Sequence, residues 1–236
     1  MTDYGVNFEQ SINAAIRIDV GGAADAYVGG INKLKPYGLT NTVNDVMEFR
    51  KGFSSKYIGT GDLGVITYGG NDLGTDAGQD YLRAMALNKN KVANIWFYKN
   101  LTDFFCPDTA NDPESTMQIS KHDVAEVDPN GVYTFTGEAI LNGAPATFTR
   151  HHTSSTIVIA QDAGGDTLTD ATSGTFVADG IVAGDTIILD GVTESADDFT
   201  QHIVLTVAPT VITLVTALGL TAQLTGASFT IHSGRF

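Results

Sequence analysis

Hydrophobic residues along this chain recur mostly at every second position, in short runs closed by Gly, Asn, Asp or Pro. Ala15-Ile16-Arg17-Ile18-Asp19-Val20 alternates cleanly, with Ile16, Ile18 and Val20 on one face, and predicts a half-buried strand ended by Gly21-Gly22. Ala26-Tyr27-Val28 starts a second strand before Gly29-Gly30. From 38 to 56 the hydrophobes Val43, Val46, Met47, Phe49 and Phe53 fit neither a helical nor a strand period, which predicts a long arm or hairpin. Val65-Ile66-Thr67-Tyr68 is a strand closed by Gly69-Gly70-Asn71.

A helix is predicted over about 76–87. Asp76 can cap its free N–H groups, Gln79 follows three residues on as in a capping box, and Leu82, Met85 and Ala86 share one face. Gly78 weakens that helix by about 1 kcal/mol relative to alanine, so packing must hold it. Val92 to Lys99 returns as a strand that is apolar on both sides, with Ala93, Ile95 and Phe97 facing one way and Val92, Trp96 and Tyr98 the other. Its second face either meets another subunit or is buried inside the same sandwich.

Leu101 to Glu114 reads as loop. Met117-Gln118-Ile119 and Val124-Ala125-Glu126-Val127 read as two short strands, and Val132–Leu141 with Ala146–Arg150 as a hairpin turned by Asn142-Gly143-Ala144-Pro145. Past His151 the texture becomes Thr/Val/Ile-rich, with strands expected at Thr156–Ala160, Gly174–Val177, Asp185–Leu189, His202–Val207, Val211–Val215 and Ser228–His232. The fold class is therefore mainly β, an antiparallel sandwich or open barrel with one flanking helix at 1–150, followed by a small all-β domain at 151–236. The last strand, around Phe229-Thr230-Ile231, either closes that domain or returns to the first, which would make the second an insertion.

Charge sharpens the division. The 236 residues carry a net charge of −14, with 27 acidic and 13 basic groups. Only one basic residue, Arg235, lies after His151, against nine acids. That balance argues against a general nucleic-acid binder, whose affinity rests on Lys and Arg neutralising phosphates. No apolar run approaches the roughly 20 residues of a membrane span, and the first residues show no basic-then-apolar signal, so a soluble, cytoplasmically made protein is expected. Cys106 is the single cysteine, which excludes an internal disulfide.

Candidate chemistry is thin. Gly59-Thr60-Gly61-Asp62-Leu63-Gly64 matches G-x-G-x-x-G, but a β-branched strand follows where a phosphate-binding helix should start, so the glycines read as strand punctuation. Cys106 needs a neighbouring base such as His122 to act as a nucleophile. His151-His152 point opposite ways on an extended chain and read as a linker pair, not as metal ligands. The Asp162–Asp166 and Ala183–Asp185 clusters read as turns before calcium loops. Glu114, Asp123, Glu126 and Asp128 form no recognisable acid pair for glycoside chemistry. No enzyme activity and no cofactor are expected.

Residues 1–150 resemble the major tail tube proteins of long-tailed bacteriophages. The features that carry the likeness are the arm Asp45-Val46-Met47-Glu48-Phe49-Arg50-Lys51-Gly52-Phe53, the strand Thr60–Tyr68, the helix Asp80–Ala86, the strand Ile95-Trp96-Phe97-Tyr98, and Tyr133-Thr134-Phe135-Thr136-Gly137-Glu138. The resemblance implies a virion protein, made in the host cytoplasm, whose six copies close a ring. Rings stack into a tube through which DNA passes without specific binding, and other tail proteins meet the tube ends. It also implies that the arm bridges to a neighbour and that 151–236 is an outer decoration domain. Met47, Phe49, Phe53, Tyr57 and Trp96 are the interface candidates. An acidic lumen would let DNA slide, although the acid excess is greatest in the outer domain, where it serves solubility. The competing reading is a carbohydrate- or receptor-binding β module, which would use the C-terminal domain. That domain has only Phe176, Phe199, Phe229 and Phe236 as aromatics, a poor platform for sugar.

Overall fold

The computed structural model describes residues 14–19, 26–38, 40–47, 54–92, 94–100, 102–125, 131–172, 174–192, 196–215 and 219–235. Among them the chain is mainly β, with antiparallel pairing throughout and one helix. The first half contains β1 (Ala15–Ile18), β2 (Ala26–Tyr27), β3 (Ile31–Lys35), β4 (Thr40–Met47), β5 (Ser54–Asp62), β6 (Val65–Asn71), α1 (Ala77–Asn88), β7 (Lys91–Val92), β8 (Ile95–Tyr98), β9 (Phe104–Pro107), β10 (Thr116–Val124) and β11 (Thr134–Asn142). Then come β12 (Pro145–Ala160), β13 (Thr167–Asp170), β14 (Thr186–Asp190), β15 (Gln201–Val207), β16 (Val211–Leu214) and β17 (Gln223–Arg235).

A five-stranded sheet, β3-β6-β11-β10-β7, faces the β12-β9-β8-β1-β2 portion of a ten-stranded sheet. Strict alternation builds the layer between them. Ile66 and Tyr68 of β6, Phe135, Ala139 and Leu141 of β11, and Met117 and Ile119 of β10 meet Ile16, Ile18, Ile95, Phe97 and Phe105 from the opposite sheet. Leu82 and Met85 of α1 join this core, as their helical spacing predicts.

The cap of α1 differs from the expected box. The Gln79 backbone N–H does donate to the Asp76 carboxylate at 2.8 Å. The Gln79 side chain does not reach back to the cap. It is buried, donates to the carbonyls of Gly29 (2.8 Å) and Asn71 (2.9 Å), and accepts from the Leu73 N–H, so it ties the helix start to two loops. Lys89, in the left-handed region at φ 56°, ends the helix.

The second half closes on itself. β12, β17, β14, β15, β16 and β13 pair in succession, and β13 pairs back onto β12, giving a six-stranded barrel. Its interior is aliphatic, with Ile157, Ile159, Leu168, Ile187, Leu189, Val204, Ile212 and Leu214 around Phe176 and Phe229. The junction expected near His151 is not a linker. β12 runs unbroken through it for 16 residues, pairing with β9 at its start and with β13 at its end. β17 lies beside it from Thr147↔Arg235 to Ile159↔Gln223, so the last strand returns to the first half while also closing the barrel.

Several local expectations fail for identifiable reasons. Residues 101–114 are not all loop, because Phe104-Phe105-Cys106-Pro107 form β9, apolar on both faces and buried between layers. β11 and β12 do not pair as a hairpin. The turn at Gly143 (φ 99°) carries the chain from one sheet to the other. The short strand expected at 117–119 is longer, because β10 continues through a bulge between Ile119 and Lys121 to Val124, whereas the strand expected at 124–127 lies partly outside the described residues. Gly174–Val177 is a turn region that inserts Phe176 into the barrel, and β13 lacked a predicted counterpart.

Gly78 provides a sharp test of packing over propensity. A Cβ there would lie 2.9 Å from the Val28 Cα, a backbone atom that cannot swing away. Gly78→Ala should therefore lower stability by about 1–3 kcal/mol, although helix propensity alone favours it by about 1 kcal/mol. Thermal unfolding of the variant measures the sign, and a raised Tm would contradict the packing assignment.

Candidate functional site

The arm expected at 38–56 overlaps a strand pair that extends to Asp62. β4 and β5 pair in register from Thr40↔Asp62 to Met47↔Ser54, with a shift between Asn41 and Val43. Among the described residues they form a two-stranded sheet of their own, joined to neither of the larger sheets. Of the interface candidates, Met47 lies at the end of β4 opposite Ser54, and Tyr57 lies on β5 opposite Asn44. Phe49 and Phe53 fall outside the described residues. The G-x-G-x-x-G string runs through β5 into Leu63-Gly64, where Gly64 has φ 68°. The helix begins only at Ala77, so no helix N-terminus stands behind those glycines and the phosphate-loop geometry is missing.

The five-stranded sheet presents its second face outward. Register sets Lys35, Thr67, Glu138 and Lys121 in one cross-strand row, and Lys33, Gly69, Thr136 and Asp123 in another. All of these but Asp123 border a groove of about 520 Å³. Glu138 lies opposite Lys121, which also pairs with Asp123 at 3.1 Å, so the face carries mixed charge and not the acid excess of the whole chain. The two margins of this sheet differ. β3 is its terminal strand on one side, and on the other β7 pairs β10 only at Met117 and Gln118. Val124, at the end of β10, is exposed, as are Val132 and Tyr133 just before β11.

Trp96 takes the other alternative left open by the sequence. It is only 2% exposed, because the C-terminal half of the same chain covers that face of β8. The Phe199 ring packs edge-on against Trp96 with centroids 4.9 Å apart, and Tyr98, Phe104, Phe148 and Ile188 complete the cluster. Arg17 rises from β1 with its guanidinium 3.5 Å above the Phe199 ring, and pairs with Asp190 at 3.4 Å and Asp198 at 3.9 Å. Trp96 is therefore a junction residue within the chain itself.

The histidines are not a linker pair either. His151 and His232 are register partners on β12 and β17, with their Nδ1 atoms 2.8 Å apart. His151 Nε2 lies 3.1 Å from Asp103, and His232 Nε2 lies 3.4 Å from Asp190. His152 points to the other side of β12, as an extended chain requires, and is held between Asp170 (3.0 Å) and Asp179 (2.7 Å). Their sequence partners stand 18 to 81 residues away, so no local pattern could reveal them.

The remaining chemical candidates are occupied structurally. Cys106 is buried, and burial together with the Asp108 charge pushes its thiol up, away from the nucleophilic form. His122 lies on the other sheet, 3.4 Å from the Tyr68 hydroxyl, with its pKa lowered by burial first and by Arg83 second. Asp162 accepts from the Gly164 N–H in a turn. The buried Asp166 carboxylate accepts from the N–H groups of Gly219 (2.7 Å) and Leu220 (2.8 Å). Asp185 accepts from Arg150 (2.7 Å), Ser233 and the Val182 N–H. Among the described residues no group of three or more His, Cys, Asp or Glu is arranged to hold a metal ion. Glu126 and Asp128 lie outside the described residues.

No protein-family model and no curated protein matches the sequence. Solved structures with a similar fold include a chain from the virion of a native gene transfer agent particle, at 14% identity, covering 58% of this chain and 96% of that one, with a TM-score of 0.43. A chain of the anti-feeding prophage baseplate matches at 10% identity over 57% and 93%, with a TM-score of 0.45. The SPP1 Dit protein, described as a paradigm of hub adsorption apparatus in phages infecting Gram-positive hosts, matches at 13% identity over 94% and 98%, with a TM-score of 0.32. No role is transferred from likenesses this distant.

The aromatic junction makes its own prediction. Phe199→Ala removes the ring shared by Trp96 and Arg17 and should cost about 3–5 kcal/mol. It should also shift the emission of Trp96, the only tryptophan, to longer wavelength in the native state. An unchanged emission spectrum would show that Phe199 does not cover that indole.

Proposed function

We propose that this chain is a structural subunit of a phage tail tube, self-associating into stacked hexameric rings through which DNA passes. The observation that carries this reading is the β4–β5 hairpin, a two-stranded sheet that shares no pairing with the rest of the described fold. Two strands alone are marginal in water, so an arm of this kind gains its stability by lying on something else. A neighbouring copy is the surface that a self-assembling subunit supplies. The terminal strand β3 and the thinly paired margin at β10 add to this, since strands of adjacent subunits can extend the same sheet around a ring. Met47, Phe49, Phe53 and Tyr57 of the arm remain the proposed contacts, whereas Trp96 is assigned to the interior of the subunit. The C-terminal barrel, with most of the acidic excess, would sit on the outside of the tube. The face of the five-stranded sheet has near-balanced charge, so a repulsive lumen would have to draw on acids elsewhere.

The carbohydrate-binding alternative loses its platform. Phe176, Phe199 and Phe229 are all buried, so none of the described aromatics of the C-terminal half offers a ring to a sugar. Among the described residues no helix is long and apolar enough to cross a membrane.

Electron microscopy of the purified chain tests the reading, alongside a variant in which residues 41–61 are replaced by a short Gly/Ser link. Thr40 and Asp62 are register partners, so such a link closes without strain. The intact chain should form sixfold rings or tubes, and the shortened one should keep its circular dichroism and Tm but remain monomeric. An intact chain that stays monomeric at high concentration, even with a tail-tip template, would overturn the proposal. So would assembly that is indifferent to loss of the arm.

A further inference from the structure

The facing His151 and His232 rings pose a proton-counting problem that the packing of the two halves must obey. Their outer nitrogens face carboxylates, Asp103 at 3.1 Å and Asp190 at 3.4 Å, and ionised carboxylates only accept, so both Nε2 atoms carry hydrogen. The inner Nδ1 atoms stand 2.8 Å apart, a separation that fits one N–H donating to one bare nitrogen. Three protons thus occupy four nitrogens. A fourth would aim two N–H groups of two cations at each other and force the rings apart.

The pair sits where separation would be felt. Asp103 comes from the turn between β8 and β9, Asp190 from β14, Arg17 from β1, and Asp198 from the segment that carries Phe199. Phe104 packs edge-on against His232 at 5.1 Å, and the Phe199 ring lies 6.4 Å from it. Tyr98 and Cys106 also belong to this cluster, and burial pushes both up and keeps them neutral; burial raises Asp198 too, so as pH falls it takes up a proton before Asp103 and Asp190 do. On the far face of β12, His152 is held by Asp170 and Asp179, and Arg150 by Asp185.

We propose that the His151–His232 pair is a proton-operated latch that holds the segment bearing Phe199 over Trp96 and releases it on acidification. Burial first, and the neighbouring His232 charge, hold His151 below its ordinary pKa against the contrary pull of Asp103. Burial raises Asp103 and Asp190, but hydrogen bonds from the histidines and their neighbours outweigh it and hold both carboxyls low, so they stay ionised while the pair titrates. The unfolded chain takes up a proton at His151 near pH 6.5, before the folded chain does. Stability from this pair is therefore greatest while it holds three protons, and it falls as acid forces a fourth onto the depressed His151. His122 and His202, also lowered chiefly by burial, add slopes of the same sign, so the whole-chain pH dependence does not isolate the latch.

The test follows Trp96 emission from pH 7.5 to 4.5 in the intact chain, in His151→Gln, in His232→Gln and in His122→Gln as a control. Glutamine keeps a hydrogen-bonding group but cannot take the extra proton. The intact chain and the control should show a red shift between about pH 6.5 and 5, before global unfolding. The two latch variants should lose that step, and their Tm loss over the same range should shrink by about 3 °C. If both latch variants fail to fold, proton NMR of the intact chain decides. His151 and His232 titrating as one coupled pair support the latch, and two independent titrations near pH 6.5 overturn it. The same emission step in all four proteins, or no step in the intact chain, also overturns it.

Discussion

The pairing of β12 with β17 is the constraint on which the rest of the structure depends. Each strand is long enough to serve two layers at once. At one end β12 takes β9 as its other neighbour and belongs to the sandwich; at the other it takes β13 and closes the barrel. A sheet cannot tear at a shared strand without exposing a row of backbone donors and acceptors. The two cores are therefore fixed relative to each other by main-chain geometry, before any side chain acts.

Side chains then finish the junction. Phe199, with φ 58°, brings a ring from the second half over Trp96 and beneath Arg17. The paired histidines, the Asp–His–Asp contact at His152 and the Arg150–Asp185 pair all lie along the same two strands. Such a row of buried polar groups requires each to find its partner, which makes the register of β12 against β17 highly specific. This rigidity has a functional corollary. Under the proposed tail-tube reading, a chain whose body is fixed would present the separate β4–β5 sheet and the margin of the five-stranded sheet to neighbouring copies at a constant angle, as closing a ring requires.

Much of the fold was legible in the sequence where periodicity is local. Ile16 and Ile18 face the core as alternation predicts, Leu82 and Met85 pack from the helix, and Ile95–Tyr98 divides its residues between two clusters, although the strand expected over Val92–Lys99 is split, with Val92 in β7 of the other sheet and packed on the Ile95 and Phe97 side. What escaped depends on distant partners. β9 looks like loop because Pro107 and nearby acids mask four buried residues, and the Gly143 turn looks like a hairpin because turn chemistry does not say which strand comes next. His151 and His152 look incidental because Asp103, Asp170, Asp179 and His232 are remote in sequence. The G-x-G-x-x-G string and Trp96 show the converse, since each has a conspicuous local signature whose meaning the surrounding layers decide.

Native-state amide exchange on the intact chain measures the coupling between the halves directly. If β12 joins them into one unit, the amides paired at Thr147–His152 and at Ile157–Ile159 should share one opening free energy, among the highest in the protein. Distinct opening free energies at the two ends of β12, with either half exchanging while the other stays protected, would contradict that.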